Sequence, residues 1–265
     1  MIMSQTGSLD NGIVQGDPLS MLLYLFYNAG MLNVPSSNRE DCLGYIDDIA
    51  LTVEVKTFSD THQILQDMIN REEGAKEWAT QHNLKFEATK SVLIDFSINR
   101  QLERPSMELL GAVISPQGTH KFLGMIMDQE LCWKLQANYA TAKVAKWILA
   151  YQRLTKVGSG AGLTTMRQLY CAVMIPKMTY AIDVWYTPVH TREGNKRCSG
   201  SVGFTNWFQS LQRMASTAIT GALHTMANDI LDKHAGLRPV ELMLQQLCHR
   251  SAMRLATLPK THPLS

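Results

Sequence analysis

The sequence predicts an α+β protein in which a partial ferredoxin-like unit, a βαββαβ arrangement without its first strand, precedes a mainly helical region. Three observations lead to this fold class. The first hundred residues give the order helix, strand, strand, helix, strand. Side chains from Ile49 to Val55 alternate with the period of a strand, and apolar residues from Lys134 onward recur at helical spacing.

The first element is a helix within "QGDPLSMLLYLFYNAGML". Asp17 can accept hydrogen bonds from the free amides of the first turn, and Pro18 fits the first helical position. We expect this apolar helix to be largely buried. Its longest apolar run, "MLLYLFYNAGML", is shorter than the ~20 residues needed to span a bilayer, so no membrane helix is predicted.

Two short strands follow in "DCLGYIDDIALTVEV" and flank a pair of aspartates, which places Asp47 and Asp48 at a hairpin tip. The next helix has Ser59 or Asp60 as its expected cap and ends near Asn83. "KSVLIDFS" then returns to strand character, and "MELLGAVISPQGTHKFLGMIMDQELCW" predicts further short strands with a Pro-Gln-Gly turn.

A long helix after Lys134 has two contrasting faces at 100° per residue. The sequence "KVGSGAGL" follows it and is interpreted as a helix terminator, because a phosphate-binding glycine loop would follow a strand instead. The apolar face is predicted to contain Val144, Trp147, Ile148, Tyr151 and Leu154. The basic face contains Lys143, Lys146, Arg153 and Lys156.

Charge divides the chain. Residues 1–130 contain 9 Lys and Arg against 18 Asp and Glu, a net charge of −9, whereas residues 131–265 contain 16 against 5, a net charge of +11. Metal cations suit the acidic part and a polyanion such as nucleic acid suits the basic part. The alternative is that solvated charges segregate without a functional reason.

Cysteine usage and the N-terminal sequence both point away from secretion. The five cysteines are far apart and form no C-x-x-C pair, so we interpret them as reduced core thiols. "MIMSQTGSLDNG" lacks the basic and apolar regions of a signal peptide. We therefore expect a nuclear or cytoplasmic protein that is not secreted.

The adjacent carboxylates of "YIDD" can share a site only at a turn, because neighbouring residues of a regular strand point to opposite faces. At a hairpin tip Asp47 and Asp48 concentrate hard oxygen ligands suited to Mg²⁺ or Mn²⁺ held partly by substrate phosphates. A two-metal site of this kind activates a hydroxyl and stabilises a leaving pyrophosphate. The alternative is ordinary Asp-Asp turn chemistry.

The order of motifs is more specific than any one of them. "NGIVQGDPLS", "GYIDDIAL", "WATQHNLKFEATKS" and "HKFLGMIMDQELCW" resemble the later motifs of the reverse transcriptase palm, most closely those of non-LTR (LINE-type) retrotransposons. Later segments, including "TTMRQLYCAVMIPKMTYAIDVWY", resemble the thumb and connecting region of fungal-type elements. The resemblance implies a partial palm over residues 1–130, a helical thumb over 131–189, a flexible connector over 190–203 and a helical connection region over 204–265.

The resemblance also implies an RNA-directed DNA polymerase that uses an RNA template, a DNA primer, dNTPs and Mg²⁺ or Mn²⁺. Asp47 would bind metal with Asp48 in support, and Lys90 would act near the triphosphate as general acid. Tyr45 would lie against the primer terminus, with Gln15 and Gly16 facing the template and incoming nucleotide. The implied primer grip is Lys121, Phe122, Leu123 and Gly124, and the residues expected to follow the nucleic-acid backbone are Lys143, Lys146, Arg153 and Lys156.

Simpler roles stay open for several of these residues. Lys90 could be a solvated lysine, and residues 121–124 could be an ordinary turn and core strand. Arg167 and Arg213 either extend the basic surface or are solvated helix residues. Trp133, Trp147, Trp185 and Trp207 are predicted to be core or packing residues and not stacking platforms.

The sequence departs from the family pattern upstream of "QGDPLS", where the palm's first strand carries another metal-binding aspartate. Only 14 residues precede Gln15, and Asp10 and Asp17 are poor substitutes for that ligand. Two hypotheses follow. The chain is a piece of an RNA-directed DNA polymerase that needs the missing palm strand from another chain, or it is a catalytically inactive nucleic-acid-binding remnant.

Overall fold

A computed structural model describes residues 17–154, 160–191, 194, 197–259 and 262 of the chain. The chain forms two compact units, Met1–Leu123 and Gly124–Ser265. This division lies close to the one expected after residue 130. The positions Gln15, Gly16 and Lys156 lie outside the described residues, so the roles expected for them stay predictions.

The first unit alternates helices with short antiparallel strand pairs. Strand β1 pairs with β2, and β3 pairs with β4. Short 3₁₀ turns occupy Ala29–Asn33 and Ala88–Lys90. The elements in order are α1 (Pro18–Asn28), β1 (Glu40–Tyr45), β2 (Asp48–Val53), α2 (Phe58–Asn70), α3 (Ala75–Gln81), β3 (Met107–Leu109), β4 (Ala112–Ile114) and β5 (Thr119–Phe122).

The core of the first unit lies where α2 and α3 meet the 3₁₀ turn after α1. Met31, Met68 and Trp78 are buried there. A Cβ atom on Gly30 would lie 2.7 Å from the indole nitrogen of Trp78, so this position requires glycine for close approach of the backbone. The ring of Trp78 also stacks on that of His82 with centroids 4.3 Å apart. Trp78, which lies on α3, therefore packs both against the backbone of Gly30 and against the ring of His82.

An ion pair joins the start of the β1–β2 hairpin to the end of α2. The guanidinium of Arg71 donates to both carboxylate oxygens of Glu40, at 3.2 and 2.7 Å, and it also donates to the carbonyl oxygen of Val34. The Glu40 side chain is only 6% exposed. Hydrogen bonds from Arg71 lower the pKa of Glu40 to about 2, against the effect of burial.

Several local predictions for the first unit are confirmed. The side chain of Asp17 accepts from the amide of Leu19 at 2.9 Å, and helix α1 begins at Pro18. The "YIDD" sequence lies at a hairpin tip, with Tyr45 and Asp48 as the last paired residues. These features depend on residues only a few positions apart, which is why the sequence predicts them well.

Other predictions for this unit are wrong. Helix α1 is not largely buried, since most of its apolar side chains are exposed and Phe26 is 81% exposed. Thr57, and not Ser59 or Asp60, caps α2 by accepting from the amide of Asp60. The expected single helix breaks between Asn70 and Ala75, and no strand is assigned to residues 91–97. The ferredoxin-like arrangement stays a prediction.

The second unit is mainly helical, as predicted from Lys134 onward. A π-helical turn, Tyr170–Met174, connects two of its helices. Within the expected connector, His190 pairs with Ser199 and Thr191 with Cys198 in a short antiparallel pair. The elements in order are β6 (Met125–Asp128), α4 (Lys134–Leu154), α5 (Leu163–Leu169), α6 (Ile175–Met178), α7 (Ile182–Trp185), β7 (His190–Thr191), β8 (Cys198–Ser199), α8 (Val202–Thr220), α9 (Asn228–Ala235) and α10 (Val240–Ala256).

Large side chains fill the core of the second unit around α4 and α8. Tyr170 and Phe208 are completely buried. Polar groups inside this core are paired: the hydroxyl of Tyr170 donates to the side-chain oxygen of Gln212 at 3.3 Å, and Ser216 donates to the carboxylate of Asp232 at 3.0 Å. Satisfied buried polar groups of this kind add specificity without leaving desolvated donors unpaired.

The cysteines are free thiols, as expected, but their positions differ from the prediction. Cys42 is buried, whereas Cys132 and Cys198 are exposed and so are not core residues. In the described part of the chain, no helix combines the length and apolar character needed to cross a membrane.

Candidate functional site

The aspartate pair occupies the tip of the β1–β2 hairpin. Tyr45 pairs with Asp48, so Ile46 and Asp47 form the two-residue connection. Ile46 has a φ of 55°, in the left-handed region that a β-branched residue rarely adopts. The turn carries Asp47 away from the strand geometry that would direct it opposite to Asp48. The structure thus brings both carboxylates to one end of the hairpin.

A buried amide holds this tip against helix α1. The side-chain nitrogen of Asn28 donates to the carbonyl oxygen of Ile46 at 2.6 Å, and Asn28 is 9% exposed. Sequence reasoning missed this residue. The available signal was a single amide-bearing side chain at the end of an otherwise apolar helix, since a buried polar group needs a hydrogen-bond partner.

The fit of a divalent cation to this tip can be tested from its donor set. Asp47 and Asp48 are both exposed and offer carboxylate oxygens, the ligand type that Mg²⁺ prefers. Among the described residues, no group of three or more His, Cys, Asp or Glu side chains is placed to hold a metal ion. Mg²⁺ commonly uses one or two protein carboxylates together with water and substrate phosphates. The pair therefore fits as part of a coordination sphere.

Two further predicted residues of the catalytic group lie in the first unit. Tyr45 is 58% exposed at the end of β1. Lys90 lies in the 3₁₀ turn Ala88–Lys90, where its ammonium is 2.7 Å from the carboxylate of Glu87. The hydrogen bond to Glu87 raises the pKa of Lys90. The general-acid role expected for Lys90 stays a prediction.

The expected primer grip falls at the division between the two units. Lys121 and Phe122 end strand β5 in the first unit, with Lys121 exposed and Phe122 half-buried. Leu123 and Gly124 have φ angles of 46° and 82°, and such consecutive positive values are typical of a tight turn. In the second unit, a Cβ on Gly124 would lie 3.4 Å from the ring of Tyr180.

Helix α4 presents the predicted basic face. Lys143, Lys146 and Arg153 are exposed, as predicted. Among the residues predicted to be apolar and packed, Trp147 is 43% exposed and Leu154 is 50% exposed, so that prediction is wrong for both. The buried row of this helix, which includes the correctly predicted Val144, Ile148 and Tyr151, is Gln136, Ala140, Val144, Ile148 and Tyr151.

A buried carboxylate that sequence reasoning missed organises the segment before α4. Asp128, 6% exposed, accepts hydrogen bonds from the backbone amides of Glu130, Cys132 and Trp133 at 2.9–3.2 Å. Burial alone would raise the pKa of Asp128, but these amide bonds, first those of Cys132 and Trp133, bring it below the ordinary value. The signal was an aspartate six residues before the first helical lysine, with several amides between them.

Aromatic contacts on α4 were also missed. The ammonium of Lys177, on α6, lies 4.5 Å from the centroid of the Trp147 ring. The ammonium of Lys143 lies 5.6 Å from that of Tyr139. Of the other tryptophans, Trp185 is buried as predicted, whereas Trp207 is 50% exposed, which differs from a core position.

The two arginines considered for the nucleic-acid surface each make hydrogen bonds within the second unit, and their part in such a surface stays a prediction. Arg167 donates through Nε to the carbonyl oxygen of Gly236 at 2.9 Å. Arg213 donates to the side chain of Asn228 and to the carbonyl oxygen of His224. Both side chains therefore close loops next to α9.

Two known proteins that are similar to this chain are named as polymerases from a mobile element. The chain is 26% identical over 192 residues to the RNA-directed DNA polymerase from mobile element jockey of Drosophila funebris. The matched region is 67% of this chain and 19% of that protein. It is 25% identical over 186 residues to the Drosophila melanogaster protein of the same name, which covers 66% and 19%. The chain thus spans about a fifth of the length of these relatives.

This chain is similar to a mobile-element reverse transcriptase. The similarity supports the resemblance to LINE-type enzymes, whereas the closer likeness to fungal-type elements stays a prediction. No protein-family model matches the sequence, and no solved structure matches it.

Proposed function

We propose that the chain is a reverse-transcriptase region of a non-LTR retrotransposon, with RNA-directed DNA polymerase as its activity. The observation that carries this proposal is the paired carboxylate of "YIDD" at a hairpin tip, held in place by Asn28. In this reaction the primer 3′-oxygen forms a bond to the α-phosphorus of a dNTP, and the bond from that phosphorus to pyrophosphate breaks. The basic second unit would hold the RNA template and DNA primer.

Asp47 and Asp48 would hold Mg²⁺ or Mn²⁺, and the bound cation would supply electrostatic stabilisation of the phosphoryl oxygens. The chain's own residues would position the reactants. Tyr45, exposed beside the aspartates, offers an aromatic face to the primer terminus. Lys90 offers a positive charge to the triphosphate and would act there as general acid.

The first unit would work together with the rest of a palm. Helix α1 exposes a row of large apolar side chains, and strand β1 exposes Leu43 at 53%. Apolar patches of this kind are covered in functional proteins by another protein surface. We assign that covering surface to the upstream palm region, whose aspartate would complete the donor set of Asp47 and Asp48.

A second candidate function is a catalytically inactive nucleic-acid-binding remnant of such an element. It is favoured by the exposed aspartate pair, which no third ligand-type side chain joins within the described residues. The basic α4 face would then provide the whole function, through phosphate contacts that are independent of sequence.

Primer extension separates the two candidates. The purified chain, mixed with a polypeptide that carries the upstream palm region, is given oligo(dT)-primed poly(rA) with dTTP and Mg²⁺, then Mn²⁺. The same mixture is made with the variant Asp47→Asn/Asp48→Asn. The matched control is Asp41→Asn, since Asp41 is an exposed carboxylate of the same hairpin far from its tip. The polymerase proposal predicts extension by the mixture, with the original chain or with Asp41→Asn, and a loss of at least about 100-fold with the double variant.

Duplex binding is measured in parallel. If the mixture does not extend the primer but the chain binds an RNA–DNA duplex, the remnant function is supported. Replacing Lys143 and Lys146 by glutamine should make the negative slope of log K against log salt shallower by about 1.8. Absence of both extension and duplex binding would contradict both candidates.

A further inference from the structure

An aromatic–basic stripe runs along the exposed side of α4. We define it as Tyr139, Lys143, Lys146 and Trp147, joined by Lys177 from α6. Tyr139, Lys143 and Trp147 are spaced four residues apart, so they form one row on the helix surface, with Lys146 beside it. The row alternates ring, ammonium and ring, and it lies beside the buried row that includes Val144 and Ile148.

Both rings of the stripe lie next to ammonium groups. Lys177 is 4.5 Å from the Trp147 ring centroid, and Lys143 is 5.6 Å from the Tyr139 ring centroid. Trp147 still keeps 43% of its surface exposed. An exposed indole next to a cation offers a π surface for stacking and a charge for a phosphate within the same few ångströms.

The charge of this helix selects the class of ligand. Helix α4 contains Lys134, Lys143, Lys146 and Arg153 and has no Asp or Glu in its 21 residues. An apolar protein segment would leave these charges without partners. A polynucleotide matches both features, because it offers phosphates to the lysines and base faces to the rings.

The exposed ring of Trp147, together with the half-buried ring of Tyr139, favours single-stranded nucleic acid over duplex. Bases inside a duplex are stacked on their neighbours and cannot lie on a protein side chain, whereas bases of a single strand can be splayed out onto aromatic rings. Tyr139 and Trp147 are eight residues apart, which is about 12 Å along the helix axis. That distance suits two base contacts within a few nucleotides.

We infer that the aromatic–basic stripe binds single-stranded nucleic acid, with a base stacked on Trp147 and its phosphate near Lys177. This inference rests on the proposed nucleic-acid function and deepens it, since phosphate contacts by the lysines alone would not distinguish a single strand from a duplex. The unpaired strand next to a primer–template duplex is the ligand of this chemistry that such a protein would meet.

The test compares two fluorescein-labelled probes, a 20-nucleotide poly(U) RNA and a 20-base-pair RNA–DNA duplex. Binding of the full chain is followed by anisotropy over a series of KCl concentrations. Trp147→Ala should weaken binding to the single strand by about 5- to 100-fold and binding to the duplex by less than about twofold. Trp147→Phe should restore most of the single-strand affinity because it keeps a stacking ring.

The chain offers a matched control in Trp207, which is 50% exposed on α8 of the same unit. Trp207→Ala should leave both affinities unchanged. For the single strand, Lys177→Gln should make the negative slope of log K against log salt shallower by about 0.7, the value expected for one phosphate contact. Binding of poly(U) should also quench tryptophan fluorescence in the original chain and less so in Trp147→Phe.

The outcomes distinguish a failure of the single-strand inference from a failure of the proposed function. Equal effects of Trp147→Ala and Trp207→Ala would overturn the inference, and so would equal losses for single strand and duplex. Duplex binding without single-strand binding would overturn the inference alone and leave the proposed function standing. Failure to bind either probe would overturn both.

Discussion

Helices of the two units differ in how far they bury large apolar side chains. In the second unit, long helices bury large residues such as Tyr170 and Phe208 completely. In the first unit, the most apolar helix of the chain, α1, leaves Leu22 and Leu23 more than half exposed. A run of apolar residues is therefore not sufficient for burial. A helix becomes buried only where neighbouring elements supply a surface that matches it.

The difference also separates two kinds of function. The second unit has the buried core that a rigid binding surface needs, and its exposed side chains include the basic face of α4. The first unit carries the aspartate tip on a two-stranded hairpin, and a hairpin of this size is marginally stable by itself. Apolar packing of Cys42 in the core and polar contacts of Glu40 and Asn28 hold this hairpin in the first unit.

The largest expected effect comes from a matched pair of phenylalanine substitutions. Phe208→Ala should lower the free energy of unfolding by about 3–5 kcal/mol because it leaves a cavity in the second unit. Phe26→Ala, on exposed α1, should change it by less than about 0.5 kcal/mol. Urea unfolding followed by circular dichroism measures both. A large loss for Phe26→Ala would mean that α1 is covered in solution, and dilution would then reveal self-association.

The next effect concerns the ion pair of the first unit. Glu40→Gln should lower the free energy of unfolding by about 2–3 kcal/mol at pH 7, because the pKa of Glu40 is lowered to about 2 from its ordinary value of 4.5. Since the lowered pKa favours the ionised form, this stabilisation is complete above pH 4.5 and disappears as the pH falls towards 2. Unfolding measured between pH 2 and 7 should show the difference between the two proteins closing over that interval.

The control for this ion pair is Glu87→Gln, which removes an exposed partner of Lys90 and should have no measurable effect on unfolding. A Glu40→Gln effect that persisted unchanged at pH 2 would contradict the assignment. The effect would then come from lost packing, which is independent of the charge on the carboxylate.

The smallest expected effect is that of Asn28→Ala, at about 1–2 kcal/mol, because the carbonyl oxygen of Ile46 would lose its donor. Hydrogen exchange should become faster at the tip end of the β1–β2 hairpin and stay unchanged in the second unit. Asn70→Ala is the control, since Asn70 is exposed and bonds only within its own helix. Equal exchange rates in both variants would show that Asn28 does not hold the tip.

Local signals in the sequence predicted much of the chain. The start of α1 at Pro18 and the hairpin at Tyr45 to Asp48 each depend on a few adjacent residues. The backbone there has few alternatives, because a proline, a two-residue turn or a capping carboxylate restricts it directly.

Features that depend on distant residues were not predictable in the same way. The exposure of α1 and the absence of an assigned strand at residues 91–97 depend on which surfaces lie nearby. Trp147 lies at the edge of the apolar side of α4, where spacing alone cannot decide its burial. Its partner Lys177 is thirty positions further along the chain, and no periodicity connects the two.

The hydrogen bond from Asn28 to Ile46 affects how loss-of-function variants of this chain should be interpreted. The turn that carries Asp47 is hydrogen-bonded to a side chain about twenty positions upstream, at the end of α1. A substitution that shifts or shortens α1 would misdirect both aspartates without touching them. In a genetic screen for activity, inactive variants would then cluster in α1 and could be mistaken for a second catalytic centre.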